Sequence, residues 1–147
     1  MGCDIHGFLE VKIDGTWHVY GNPKIARDYY LFAQLAGVRN YDNITPISVP
    51  RGLPEDCSVV VQKESDRWAD DGHSHSWVTM AELATVVDDK ERRQKSSLGT
   101  DCPLYYGGWD YWEFGYLCGN SPWNYVKYPE DFPEYIQDVR FVFWFDN

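Results

Sequence analysis

Asp4 and His6 stand two residues apart in a stretch with strand alternation, so their side chains leave the same face. Asp71, His73 and His75 repeat that spacing farther along, just ahead of a helix signal. Divalent-metal sites are commonly built by joining a carboxylate–imidazole pair from one element to a histidine from another. If the two clusters meet, Asp4, His6, His73 and His75 are the expected ligands of one divalent cation, zinc or manganese. A water on that cation would be nucleophilic near neutral pH, with Asp4, His6, Asp71 and His73 as the catalytic set. The competing reading leaves these residues as surface polar groups on the outer face of a hairpin and in a turn.

Three other groups carry chemistry. Cys3 would become a nucleophile if His6 or His73 took its proton and Asp4 or Asp71 oriented the base. Strand alternation, however, points Cys3 to the face opposite His6, where a small buried thiol serves as core. Arg27, Arg39 and Arg51 flank helix ends and proline loops, where guanidinium forks hold phosphate or carboxylate; pairing with surface Asp and Glu is the alternative. The stretch from Tyr105 to Tyr135 is dense in aromatic residues. Its Trp109, Trp112 and Trp123 are the candidates for stacking a sugar or nucleobase, against a reading as packed core.

The elements that must position these groups are legible in outline. Ile5, Gly7, Leu9, Val11 and Ile13 alternate with Asp4, His6, Phe8, Glu10 and Lys12, which is strand periodicity. Asp14-Gly15 supplies a tight hairpin turn, and Trp17 to Tyr20 returns as the second strand. Asp28 is an N-cap and Gly37 a left-handed C-cap around a short helix with Tyr29, Phe32, Leu35 and Ala36 on one face. A loop punctuated by Pro46, Pro50 and Pro54 leads to a second helix, starting at Pro54 or Ser58 and ending near Trp68. The spacing predicts a polar turn over 70–76. Thr79 and Glu82 then form a capping box that opens a third helix through Leu83, Val86 and Val87. A solvated helix end and loop are expected from Asp88 to Ser97, and an ordered aromatic loop layer after it. Val139, Phe141, Phe143 and Phe145 mark a last strand that is apolar on nearly both faces. Such a strand belongs in the middle of a sheet, beside the first.

Composition bounds the rest. The 147 residues suit one domain, and at that size about 70% of the unfolded surface can be buried. Hydrophobic residues at 44% and charged ones at 24% are globular averages and exclude a disordered chain. The net charge of −10 argues against generic binding to nucleic acid or anionic membrane. Cys3, Cys57, Cys102 and Cys118 lack the spacing of a zinc knuckle or redox motif. No signal peptide and no membrane span are expected, which reads as a cytoplasmic protein with reduced thiols.

Asp4-Ile5-His6-Gly7 and Gly72-His73-Ser74-His75 resemble the first and last motifs of the calcineurin-like metallophosphoesterases. The Gly-Asp and Gly-Asn-His motifs between them are missing, and a hairpin turn stands where that family has a crossover helix. Neither fold nor activity is carried over. A resemblance over nearly the whole chain is to a family of short proteins encoded by phages and prophages. It rests on the opening Met1-Gly2-Cys3-Asp4-Ile5-His6, Leu31-Phe32-Ala33, Gly37-Val38-Arg39-Asn40 and Pro50-Arg51-Gly52-Leu53-Pro54. The His-Ser stretch before Thr79-Met80-Ala81-Glu82-Leu83 and the closing Phe145-Asp146-Asn147 extend it. This resemblance implies a mobile-element context in a host cytoplasm and no particular mechanism.

The expectation is therefore one α+β domain, an antiparallel sheet of the N-terminal hairpin and C-terminal strand with about three short helices packed on it. Its site would hold a divalent metal, a small phosphorylated ligand, or both, with metal-assisted phosphoester hydrolysis as the reaction class. The alternatives are a non-enzymatic acidic inhibitor of a host defence protein and a sugar- or base-stacking module.

Overall fold

Asp14 and Gly15 both adopt positive φ, 50° and 78°, the requirement of a two-residue hairpin turn matched to the twist of its strands. The strands it joins are β1 (Asp4–Ile13) and β2 (Thr16–Gly21), paired antiparallel. The computed structural model describes residues 2–23, 25, 27–86 and 132–147. The expected charged loop at 88–97, Trp109, Trp112, Trp123 and most of the aromatic-rich stretch lie outside the described residues.

Helix α1 (Tyr29–Ala36) begins where Asp28 accepts hydrogen bonds from the Tyr30 and Leu31 amides, and it ends at Gly37 with φ 72°. Helix α2 (Val59–Trp68) starts at Ser58, whose hydroxyl accepts from the Val61 amide. Strand β3 (Gly72–Thr79) follows. Helix α3 occupies 80–86. Its capping box is reciprocal: Glu82 N–H donates to Thr79 Oγ1 at 3.2 Å, and Thr79 N–H donates to Glu82 Oε1 at 2.9 Å. Strand β4 (Asp138–Asp146) is last.

The strands form one antiparallel sheet in the order β2-β1-β4-β3, with β1 and β4 at the centre. The expected α+β architecture and central last strand are present, and β3 adds a fourth strand where the sequence spacing predicted a polar turn. The difference has a physical reason. One side of β4 would otherwise lack backbone partners, and Gly72 and His73, then Ser76 to Thr79, supply them at a sheet edge, where polar side chains are tolerated. The chain before α2 also meets that edge: Gly52 N–H donates to the His75 carbonyl at 2.8 Å and Arg51 N–H to Ser76 Oγ at 3.0 Å.

Alternation divides the sheet into two buried faces. Ile5, Leu9, Val11, Phe141, Phe143 and Phe145 pack against Leu31, Phe32 and Leu35 of α1 and Leu83 and Val86 of α3. Phe8, Val142 and Trp144 pack on the other face with Val61 of α2. Gly7 is dictated by the first face, since a Cβ there would stand 2.6 Å from the Phe141 ring.

The α2 face also buries charge. Glu10 and Arg140 are directly opposite in the β1–β4 register, and Arg140 Nε donates to Glu10 Oε1 at 2.8 Å. The second Glu10 oxygen accepts from the Ser58 amide at 2.7 Å. Arg140 Nη1 donates to Asp56 at 3.0 Å, and its guanidinium lies 3.8 Å from the centre of the Trp17 ring. Glu10 is fully buried and Arg140 nearly so. Removing one partner would leave the other charge unpaired, a loss of about 3–5 kcal/mol. Arg140→Met is therefore expected to lower unfolding free energy by that amount in urea titration. The double variant Glu10→Leu/Arg140→Met should recover much of the loss; equal losses in the single and double variants would contradict the pairing.

Candidate functional site

The start of β1, the start of β3 and the end of β4 meet at one end of the sheet. Register places Asp4 and Gly72 on either side of Asp146, and His6 opposite Trp144. The side chains of Asp4, His6, Trp144 and Asp146 therefore share the face that α2 covers. His6 Nε2 lies 2.7 Å from Asp146 Oδ2, with 29% of the imidazole and 18% of the carboxylate still exposed. The Trp68 ring, at the end of α2, sits 4.1 Å from the imidazole centre.

A bulge decides which histidine joins them. His73 pairs with Phe145 and Ser76 with Phe143, so Ser74 and His75 together oppose a single residue of β4. Ser74 absorbs the extra residue at φ 54°. His75 thereby reaches the α2 face, where it stacks on Trp144 at 5.8 Å and its Nε2 lies 2.9 Å from Ser65 Oγ. His73 goes to the opposite face and stacks on Phe145, its nitrogens bonded to Ser74 Oγ and the Asn147 side chain. Burial and the neighbouring His73 push the His75 pKa below the ordinary imidazole value, so His75 is uncharged at neutral pH.

Backbone strain borders the same end. Ala69, directly after α2, holds φ 45° and ψ −127°, a region that favours glycine. Trp144 contributes an unusual atom: its indole Nε1 is buried with no hydrogen-bond partner among the described residues. Such a group carries an unpaid desolvation cost.

Sequence spacing proposed a site of Asp4, His6, Asp71 and His73, with His75 as a further metal ligand. Asp4 and His6 are brought together on one face, but Arg27 grips Asp4 with two bonds of 2.9 and 2.8 Å and holds its carboxyl below the usual range. Asp71 is exposed in the turn Ala69–Asp71, and His73 is across the sheet from His6. Among the described residues, no three His, Cys, Asp or Glu side chains are grouped so as to hold a metal ion. Cys3 is buried on the α1 face, away from His6, and burial raises its thiol pKa. The residues that spacing did not reveal are Asp146, Ser65, Trp68 and Trp144. Asp146 had a signal: it continues the alternation of Trp144, and pairing the last strand against the first brings it opposite Asp4.

The three arginines are engaged within the chain. Arg27 holds Asp4; Arg39 donates to the Tyr41 hydroxyl at 3.3 Å and bonds the Cys3 thiol. Arg51 meets Glu82 with two bonds of 2.9 and 2.6 Å and lies over Trp77. Comparisons with protein-family models, curated proteins and solved structures return no match. No helix among the described residues is long and apolar enough to cross a membrane.

Arg51 pulls the Glu82 carboxyl from 4.5 to about 2. A lowered carboxylate pKa contributes stability that is complete above the unfolded value and disappears as pH falls through the folded one. The stability advantage of the native chain over Glu82→Gln should thus be constant above pH 4.5 and shrink steadily toward pH 2. Denaturant titrations across that range check it; an advantage independent of pH would exclude the ion pair as its source.

Proposed function

We propose that the sheet end built around His6 is a general acid–base site that hydrolyses a small ligand. One observation carries this reading, the bond between a partly exposed imidazole and the Asp146 carboxylate. In the neutral ring, Nε2–H donates to Asp146 and Nδ1 keeps its lone pair, so Nδ1 is the base that takes a proton from attacking water. Asp146 fixes the tautomer and stabilises the imidazolium that forms. The strained Ala69 beside Trp68 supports the same location, since strain of this kind collects at functional sites. Engagement of Arg27, Arg39 and Arg51 inside the chain favours a ligand without phosphate charge over the phosphorylated one. The resemblance to short phage-encoded proteins supports an accessory role in a mobile element.

A second reading, a non-enzymatic blocker of a host protein, is favoured by Val59 and Val60, which stand 69% and 50% exposed at the start of α2 on a chain of charge −10. One experiment separates these readings from a metal-dependent hydrolase using zinc or manganese. The purified chain is assayed on chromogenic esters and phosphoesters with chelator, and again with added zinc or manganese. The expected result is turnover that survives chelation and falls about 10²–10⁴-fold in His6→Gln and Asp146→Asn while circular dichroism is unchanged. Turnover only with added metal would replace the metal-free reading by the metal-assisted one. No turnover under any condition would overturn both and favour the blocker.

A further inference from the structure

Trp68 is the last residue of α2, and its ring lies against His6, with the ring centres 4.1 Å apart and the planes 32° from parallel. Three features of the chain fix that ring's place. One turn earlier, Ser65 Oγ is 2.9 Å from His75 Nε2, which ties the end of α2 to β3. At the start of β3, Gly72 leaves room for the tryptophan, since a Cβ there would stand 3.0 Å from Trp68 Cβ. Directly after the tryptophan, Ala69 holds φ 45° and ψ −127°, a backbone that an alanine keeps only where its surroundings impose it.

His6 needs more than its carboxylate to hold one orientation. The bond to Asp146 fixes a single ring atom, Nε2, at 2.7 Å. Rotation about the Cβ–Cγ bond of histidine is broad, so a ring held at one atom still rocks about that bond. Each such motion re-aims Nδ1. Contact with the Trp68 ring removes that freedom, and Trp68 is backed in turn by the apolar cluster of Phe8, Val61, Val142 and Trp144. The Trp144 ring is farther from the imidazole, 6.4 Å between centres, and does not press on it in the same way.

We infer that Trp68 is a positioning residue, whose ring sets the plane of His6 and with it the direction of the Nδ1 lone pair. This rests on reading His6 as the base of the site. The indole handles no proton itself and acts through the imidazole. A misplacement of about 1 Å in a reacting group can cost about 10²-fold in rate. That cost falls on kcat rather than KM, because Trp68 orients the base and not the ligand.

The test reads ring motion and turnover separately. Carbon-13 relaxation of the His6 Cε1–H bond gives the order parameter of the ring, expected near the rigid value of about 0.85 in the native chain and below about 0.6 in Trp68→Leu. Leucine keeps an apolar side chain in the same seat and lacks a flat face. Hydrolysis of p-nitrophenyl acetate by Trp68→Leu should lose about 10²-fold in kcat with KM nearly unchanged. Trp68→Phe, which restores a flat ring, should recover most of both. Ser65→Ala leaves both rings in place and frees the end of α2; it should also lower the order parameter, and it reads the clamp where Trp68→Leu does not fold. A His6 ring already mobile in the native chain, or one equally ordered in whichever of these variants folds, would overturn the proposal. Leucine serving as well as phenylalanine would do the same. A native ring that is ordered and loses its order in Trp68→Leu, with no ester turnover in any variant, would support the clamp and sink the acid–base reading instead.

Discussion

The Glu10–Arg140 pair is the constraint on which the other placements depend. It joins the two central strands at one register position and does so inside the α2 face, where a misplaced charge would be costly. A slip of one residue between β1 and β4 would move Arg140 to the aromatic α1 face and separate the charges. The same register, followed six residues toward the start of β1, sets His6 and Asp4 beside Trp144 and Asp146. Glu10 does more than pair: its second oxygen receives the first turn of α2 through Ser58 N–H. That bond helps dock the helix, and the docked helix carries Ser65 and Trp68 to the sheet end.

The two faces of the sheet divide the labour. The α1 and α3 face is a continuous aromatic and aliphatic core, with Phe141, Phe143 and Phe145 in contact in sequence and Gly7 making room for the first of them. The α2 face is smaller and mixes apolar rings with an ion pair, two imidazoles, a serine hydroxyl and an indole N–H without a partner among the described residues. Polar groups at that density resist close packing, and they are where chemistry can be done. The positive φ of Ser74 and the unusual backbone of Ala69 lie at the junctions that feed this face. The larger hydrophobic cluster lies on one side of the sheet, and the smaller cluster with the buried ion pair and the two imidazoles on the other.

Much of this architecture was legible from residue types. Asp14-Gly15, Asp28 with Gly37, and Thr79 with Glu82 are local devices whose physics is complete within a few residues, and each appears as its chemistry requires. The apolar last strand announced its central place because only a strand covered on both faces tolerates so many rings. The site was legible only in part. His73 and His75 look equivalent under two-residue alternation, but the extra residue at Ser74 breaks that alternation and sends them to opposite faces. A bulge leaves no mark in polar sequence. Gly72 to Ser76 read as a turn because its strand character comes from the free side of β4 rather than from its own side chains. Ser65 stood in a helix with nothing local to separate it from an ordinary buried hydroxyl; the histidine it meets stands ten residues later, and only tertiary structure brings it near.

The most direct measurement of the site is the nitrogen-15 spectrum of the imidazole rings at neutral pH, recorded for wild type and Asp146→Asn. The expected spectrum shows the His6 ring carrying its proton on Nε2, with that proton's shift moving when Asp146 loses its charge. A His6 ring that exchanges freely between tautomers and ignores the Asp146 substitution would contradict the site, because the base would then have nothing holding it.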